Sequence, residues 1–383
     1  MFALVLLPLL SAFPLSLGAE ECVVSDFGDV EAATEKCSSI IFENLYVPAG
    51  VTLKLNLTDG ANVTFRGNTT FGFTNWLGPL VTINGTGLTM QGDEGSIFDG
   101  QGQLYWDGLG DKGTQKPQFF TIQAFHSVFR NFKVINTPID CVQATNAVNL
   151  TFTDWIIDNL AGDPDVAPSG KFGKNTDGFD VWNSTDVVIK NSAVYNQDDC
   201  VAVRCGANIY VTNMFCHGTH GLSISVGFSN TSVPLNTLSN VTFTDSVLVN
   251  SENGIHIKTH YQGGYGSITN VTYRNISMSS IEKFGIEIHE NYPDTTAEPR
   301  NNVPIVDLKM VNVTGNVSRD AAPVFILCAD GGCADWQWDD VKISGRKSDS
   351  CNFLPEVRML EDDKSSFSHQ KHICLVAEVG PRP

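Results

Sequence analysis

The stretch Asn240-Val241-Thr242-Phe243 places a turn-forming asparagine before three residues that favour a strand, and Asn270-Val271-Thr272-Tyr273 repeats the pattern. Related segments recur every ~20–40 residues, a period typical of solenoid proteins. They occupy residues 148–152, 186–189, 208–211 and 306–310. Short alternating strands bounded by Gly, Asn, Asp and Ser indicate β structure. The sequence therefore predicts an all-β fold, a single right-handed parallel β-helix of roughly ten turns.

The chain has 383 residues, more than a single compact core normally needs, yet no Ser/Pro-rich tract or charge run divides it. A solenoid resolves this, because each turn buries its surface only against its neighbours. We therefore expect one domain, residues 20–383. Its end turns need caps, which we assign to a helix within residues 30–40 and to disulfide-linked segments at both termini.

The first 19 residues are rich in leucine and end in small residues, which is typical of a cleaved signal peptide. No later stretch reaches the ~20 apolar residues of a membrane-spanning helix. The ten cysteines, an even number, suit the oxidising secretory pathway. We expect a secreted, extracellular protein without a membrane partner.

The formal net charge is −18. Such a chain repels polyanions as a whole, which argues against nucleic acid and anionic membranes as partners. An anionic ligand would have to be bound by a few local cations.

Asp177 and the pair Asp198-Asp199 are separated by about one turn of such a solenoid. Because stacked strands lie ~4.8 Å apart, this spacing brings the three carboxyl groups together on one face. His220 follows one turn later, and Lys258 follows after a longer turn. The spacing therefore predicts a clustered site of carboxylates, a histidine and a lysine, which is a set of groups that glycoside hydrolysis uses.

Four short segments lie in this order along the chain: Asn175-Thr176-Asp177, Asp198-Asp199, Thr219-His220-Gly221 and His256-Ile257-Lys258. They resemble the signature segments of the polygalacturonases of glycoside hydrolase family 28, which read Asn-Thr-Asp, Asp-Asp, Gly-His-Gly and Arg-Ile-Lys. The similarity runs from about residue 20 to about residue 355. The resemblance implies a parallel β-helix that cleaves pectin by inverting hydrolysis. The sequence has no large insertion that would close one end of a cleft, which favours endo or oligomer-cleaving action. It has no cofactor motif, and inverting hydrolysis needs neither a metal nor a cofactor.

The resemblance also implies roles. Asp198 would be the general acid, with a pKa raised by its charged neighbours, and Asp177 and Asp199 would be ionised and hold the attacking water. His220 would help to set the protonation of the acid. The substrate would be bound by Lys258, His256, Tyr292 and Asn175.

His256 stands where the family has arginine, so it offers fewer donors and a charge only at acidic pH. We expect it to face a substrate carboxylate beside Lys258 and to become charged as the pH falls.

Two functions stay open. One is a secreted polygalacturonase with activity reduced by His256. The alternative is a catalytically impaired relative that binds pectin or acts as a decoy for plant polygalacturonase-inhibiting proteins. A branched or methyl-esterified galacturonan is a further possible substrate.

The expected partners are pectin, polygalacturonate or oligogalacturonides and, for the decoy, the inhibitor proteins, and we expect a monomer.

The resemblance implies the disulfides Cys22–Cys37, Cys200–Cys216 and Cys328–Cys333, and Cys351–Cys374 would close the C-terminal segment. Whether Cys141 and Cys205 pair stays open. Twelve Asn-x-Ser/Thr sequons are present, of which we expect a subset to carry glycans.

Overall fold

The protein, described here from a computed structural model, is built almost entirely from strands. The structure describes residues 21–357 and Cys374. The predicted signal peptide, residues 1–19, lies outside the described residues, as does most of the predicted C-terminal cap.

The described residues contain one α-helix, α1 (Val30–Lys36), within the predicted cap segment. Short 3-10 turns lie at Phe27–Asp29, Gly102–Leu104, Gly110–Lys112, Leu160–Gly162 and Pro234–Asn236. The strands are β1 (Glu21–Val24), β2 (Ser39–Glu43), β3 (Tyr46–Val47), β4 (Leu53–Asn56), β5 (Asn62–Arg66), β6 (Asn68–Phe71), β7 (Val81–Thr86), β8 (Thr89–Gly92), β9 (Ile97–Asp99), β10 (Phe120–Arg130), β11 (Lys133–Ile135), β12 (Val142–Thr145), β13 (Val148–Thr153), β14 (Ile156–Asp158), β15 (Phe179–Trp182), β16 (Ser184–Tyr195), β17 (Val201–Val203), β18 (Gly206–His217), β19 (Leu222–Val226), β20 (Thr237–Val249), β21 (Asn253–His260), β22 (Ser267–Ile281), β23 (Phe284–Tyr292), β24 (Ile305–Val317), β25 (Ala322–Leu327), β26 (Cys333–Ala334), β27 (Gln337–Ser344), β28 (Ser350–Cys351) and β29 (Glu356–Val357).

Apart from the strands at the two ends, each described strand pairs in parallel with a strand one turn earlier and one turn later, which is the pairing of a parallel β-helix. One face, which we call the site sheet, contains β12, β15, β17, β19, β21, β23 and β25 in this order. The long strands β16, β18, β20, β22 and β24 form the other faces. The predicted all-β solenoid is confirmed.

The recurring segments that predicted the fold lie in register on consecutive turns. Their central apolar residues form one buried column: Leu150, Val187, Ile209, Val241, Val271 and Leu308. Towards the N-terminus the interior is filled by stacked rings, with Phe98 on Phe132 and Phe132 on Trp155. Burial of these apolar columns, at roughly 25 cal/mol per Å², is the main force that holds successive turns together.

The turn residue that begins each repeat forms a ladder of side-chain amides on the outside. Asn208 donates to Asp186 (2.8 Å), Asn240 donates to Asn208 (2.6 Å), and Asn270 donates to Asn240 (3.2 Å). All four have a φ between 53° and 59°, the left-handed region that asparagine and aspartate tolerate better than other non-glycine residues. The ladder explains why asparagine recurs in the repeats independently of glycosylation.

Asn240→Ala is expected to lower the free energy of unfolding by about 2 kcal/mol, because it loses two ladder hydrogen bonds and forces alanine into the left-handed region. Asn240→Gly removes the same bonds but accepts that φ, so its loss should be about half as large. Urea unfolding of both variants measures the difference. Thr242→Val, which destroys the same sequon but keeps Asn240, controls for a lost glycan. Equal losses for alanine and glycine would contradict the role of backbone conformation.

The cysteines form the four expected disulfides, Cys22–Cys37, Cys200–Cys216, Cys328–Cys333 and Cys351–Cys374. The open question about the other two is settled: Cys141 and Cys205 are buried free thiols. Within the described part of the chain, no helix is long and apolar enough to cross a membrane.

Candidate active site

The structure brings the three predicted aspartates together on neighbouring turns. Asp177 precedes β15, the pair Asp198-Asp199 precedes β17, and His220 precedes β19. Because Phe179 pairs with Val201 and Val201 with Leu222, the loops before these strands lie side by side. All three carboxyl groups are buried, and the stacking predicted from the spacing is confirmed.

Asp198 and His220 form a hydrogen-bonded pair at the opening of the cluster. Nδ1 of His220 lies 3.0 Å from Oδ1 of Asp198, and its Nε2 lies 3.2 Å from Glu252. The second oxygen of Asp198 accepts from the Asn175 amide at 3.1 Å. The amide oxygen of Asn175 accepts a hydrogen bond from the backbone N–H of Asp111. Both polar atoms of the Asn175 side chain are therefore hydrogen-bonded, which fixes its position beside Asp198.

Asp199 is held at both carboxylate oxygens. Nζ of Lys258 lies 3.0 Å from Oδ2, and the hydroxyl of Ser223 donates to Oδ1 at 2.5 Å. Lys258 projects from β21, and its ammonium also lies 5.2 Å from the ring centre of Tyr292, at the end of β23. Lys258 thus borders the carboxylate cluster, as the spacing predicted, and Tyr292 lies next to Lys258.

Arg204, which the sequence analysis missed, lies on the other side of the cluster. Its Nη2 lies 2.6 Å from Asp180 and 3.4 Å from Asp177. Asp180 is almost fully buried, so the guanidinium neutralises a carboxylate that would otherwise be costly to bury. The available signal was the alternation of the site-sheet strands, because Arg204 follows β17 two residues after the outward-facing Ala202, whose partner is Asp180.

The protonation pattern differs from the expectation for Asp198. Burial favours the neutral acid, but the charge and hydrogen bond of His220, with help from Lys258, hold the pKa of Asp198 below its ordinary value. Burial and then the repulsion of Asp198 and Asp180 raise the pKa of Asp177 well above its ordinary value. The prediction of a protonated Asp198 and an ionised Asp177 in the free protein was therefore wrong, because a histidine contacts the first and acids surround the second.

His220 carries the positive charge of this pair. Burial opposes protonation, but Asp198 and Glu252 raise the pKa of His220 to about 9. Burial likewise opposes the charge of Lys258, yet Asp199 and Asp198 raise its pKa above the ordinary value. Both groups are thus cationic over acidic and neutral pH.

His256 does not behave as the sequence suggested. It projects from β21 but is buried, with Nε2 3.3 Å from Nε2 of His289 and 3.4 Å from Glu287. Burial, followed by the charge of Lys258, lowers the pKa of His256 well below its ordinary value. The expectation of a histidine that becomes cationic at mildly acidic pH is therefore wrong, because the ring is buried and lies near the charged Lys258.

Among the described residues, four clusters of donor atoms have the composition of a metal site: His256 with Glu287 and His289, Asp140 with Asp177 and Asp180, Glu290 with Cys328 and Cys333, and Asp198 with Asp199 and His220. In the first, His289 contacts Asn291 through Nδ1 and His256 through Nε2, so the two rings belong to a hydrogen-bond chain. In the second, Arg204 already supplies a positive charge. The cysteines of the third cluster are joined in a disulfide, and the carboxylates of the fourth are already paired with His220 and Lys258. We assign no catalytic metal to any of the four clusters, and acid–base chemistry by the carboxyl groups requires none.

The comparisons with known proteins agree with this geometry. Residues 37–363 match the family model described as glycosyl hydrolases family 28. The chain is 42% identical over 345 residues to endopolygalacturonase I of Aspergillus aculeatus, covering 88% of each protein. It is 41% identical to a polygalacturonase of Phaedon cochleariae, covering 87% of this chain and 92% of that protein. Its fold is similar to that of endopolygalacturonase I from Stereum purpureum complexed with two galacturonate, with a TM-score of 0.79, 34% identity and coverage of 88% and 98%.

Proposed function

This chain belongs to glycosyl hydrolases family 28, and we propose that it is a polygalacturonase that hydrolyses the α-1,4-galacturonosyl linkages of pectin. The observation that carries the proposal is the cluster of Asp177, Asp198 and Asp199 with His220 and Lys258 in contact with it. The names of the relatives support the same activity and favour endo cleavage.

We assign the proton transfer to Asp198 and His220 as a pair. His220 is the only member of the pair that carries a proton before the substrate binds, and its Nδ1 lies 3.0 Å from Asp198. A bound sugar excludes water and makes an ionised Asp198 less stable, so the proton moves along this hydrogen bond to the carboxylate. Asp198 then donates it to the glycosidic oxygen as the bond to the anomeric carbon breaks.

We assign the activation of water to Asp199. Both of its oxygens are already held, by Lys258 and Ser223, which disfavours direct attack on the sugar and favours attack through a water molecule. The nearest oxygens of Asp198 and Asp199 lie within 4.8 Å of each other, closer than the roughly 6.5–9.5 Å usual for inverting pairs. The assignment of an inverting mechanism is therefore based on the two held oxygens of Asp199, which leave this residue to act through a water molecule. The raised pKa of Asp177 suits a residue that orients the water rather than a base.

We propose that Lys258 and Tyr292 bind the galacturonosyl unit beside the cleaved bond, and that Asn175 acts by orienting Asp198. His256 supplies a neutral ring at this position, so the site has a lower affinity for a substrate carboxylate than it would have with an arginine there. The protein is proposed to be a secreted, extracellular monomer. Binding to polygalacturonase-inhibiting proteins is proposed only for the case that catalysis is absent.

Incubation with polygalacturonate is expected to release reducing ends, with an early fall in viscosity because internal bonds are cut. Proton NMR of the first products should show the β-anomer, since the substrate linkage is α and the attack inverts it. Release of α-anomers would contradict the role of Asp199. Absence of new reducing ends across pH 4 to pH 8, with intact binding of oligogalacturonides by calorimetry, would overturn the hydrolase and favour the pectin-binding alternative.

A further inference from the structure

Two histidines and a glutamate lie together on β21 and β23, and we call them the His–Glu cluster: His256, Glu287 and His289. Glu287 and His289 are two residues apart on one strand, so their side chains point to the same face of the sheet. His256 pairs with Glu287 on the neighbouring strand, which brings the third side chain to that face. The strand pairing therefore gathers three donors that the proposed proton transfers do not use.

The donor atoms of the His–Glu cluster have the separations of ligands around one small ion. Nε2 of His256 lies 3.3 Å from Nε2 of His289 and 3.4 Å from Oε2 of Glu287. All three donor atoms lie within 4.8 Å of one another. Ligands held about 2.0–2.1 Å from a tetrahedral zinc ion are themselves about 3.3–3.4 Å apart. The cluster therefore needs little movement to close on a metal ion.

The hydrogen bonds around His289 leave its Nε2 as the nitrogen with a lone pair. The amide nitrogen of Asn291 donates to the carbonyl of Ala297 at 2.9 Å, so the amide oxygen, 2.8 Å from Nδ1 of His289, accepts the ring proton. The ring is neutral at neutral pH, because burial lowers the pKa of His289 to about 4. Metal-binding histidines usually donate their other ring N–H to an oxygen in this way.

Two buried oxygens of this region have no hydrogen-bond partner among the described residues, Oε2 of Glu287 and Oδ1 of Asn253. The Glu287 side chain is only 4% exposed, and no described lysine or arginine forms an ion pair with it. A buried carboxylate without a cation is costly, and a metal ion would supply the missing charge. The Asn253 amide lies 3.4 Å from Nδ1 of His256, so a half turn of this amide lets Oδ1 accept the proton of Nδ1 and leaves the Nε2 lone pair for the ion.

We propose that His256, Glu287 and His289 bind one divalent transition-metal ion of the type of Zn²⁺. Two imidazoles and one carboxylate suit such an ion, whereas Ca²⁺ and Mg²⁺ require mainly oxygen ligands. The ion takes the place of the proton between the two rings and balances the buried charge of Glu287. It takes no part in the acid–base steps and joins β21 to β23 next to Lys258.

The first test uses the full-length protein after dialysis against a chelator. Titration with cobalt(II) chloride is expected to produce visible absorption bands stronger than those of the hydrated ion, because four-coordinate cobalt absorbs more strongly, and zinc(II) chloride should remove them. Tm should rise with the zinc concentration, since the assembled cluster exists only in the folded chain. Calorimetry that detects no zinc binding would overturn the site.

Glu287→Gln and His289→Gln should each weaken zinc binding by at least about 100-fold, because even a residue that only orients a ligand contributes about 10- to 100-fold. His126→Gln, which removes an exposed histidine from β10, is the matched control and should not change the affinity. If His126→Gln alone abolishes binding, or if Glu287→Gln and His289→Gln bind zinc as the wild type does, the ion lies elsewhere and the inference is overturned.

Thermal unfolding of the metal-free variants separates loss of the ligand from loss of the fold. Metal-free Glu287→Gln should have a Tm no lower than that of the metal-free wild type, because the amide needs no counter-charge. Zinc should raise the Tm of the wild type but not that of Glu287→Gln. An equal rise for both would contradict the site. None of these measurements uses hydrolysis, so they test the metal site whether or not the proposed function holds.

Discussion

Asp198→Asn is expected to lower kcat on polygalacturonate by about 10²- to 10⁴-fold, the usual contribution of a general acid. The amide keeps the size of the carboxyl group and one acceptor oxygen, so it retains the hydrogen bond of either Asn175 or His220, but it cannot pass a proton from His220 to the glycosidic oxygen. KM should change much less, because the variant leaves the contacts of Lys258 and Tyr292 intact. Initial rates over a concentration series measure both parameters.

A substrate with an activated leaving group separates the acid from the base. Departure of 4-nitrophenolate needs little protonation, so Asp198→Asn should retain most of its activity on 4-nitrophenyl galacturonide. Asp199→Asn should lose activity on both substrates, since each needs an activated water. If Asp198→Asn retains more than about a tenth of its activity on the polymer, another residue is the acid.

The fold and the position of the site were predictable because both depend on spacing. In a parallel solenoid a repeat of about one turn places equivalent residues side by side, so the distance from Asp177 to Asp198 along the chain was enough to predict that they lie on neighbouring turns. The recurring asparagines marked successive turns of the solenoid, because each lies at a backbone position in the left-handed region, which asparagine tolerates.

The charge states were not predictable from spacing. They depend on which side chains lie within hydrogen-bond distance, and His220 lowers the pKa of Asp198 although Asp199 is next to it in the sequence. Arg204 was missed although it closely follows the Asp198-Asp199 pair, because the sequence does not show which carboxylate its side chain reaches; the strand pairing shows that it lies beside Asp180. The neutral state of His256 likewise follows from burial next to Lys258, which a motif comparison does not contain.

Arg204→Gln is expected to lower the free energy of unfolding by about 3–5 kcal/mol at pH 7, because it leaves Asp180 buried without its counter-charge. Burial already raises the pKa of Asp180 although Arg204 opposes this, so without the guanidinium the pKa rises further. A carboxyl group with a raised folded-state pKa stabilises the fold when protonated, and this stability is lost as the pH rises through that pKa. The deficit of the variant should therefore narrow between pH 7 and pH 4.5, as measured by urea unfolding.

Two further variants identify the cause of that deficit. Arg204 also lies 5.2 Å from the ring centre of Phe228. Asp180→Asn in the Arg204→Gln background removes the unpaired charge and should recover much of the lost stability, which a simple loss of packing against that ring would not allow. Arg274→Gln, which removes an exposed arginine from β22, should cost less than about 0.5 kcal/mol at either pH. A deficit for Arg204→Gln that is independent of pH and unaffected by Asp180→Asn would show that the guanidinium acts through its contact with the Phe228 ring instead of through the buried carboxylates.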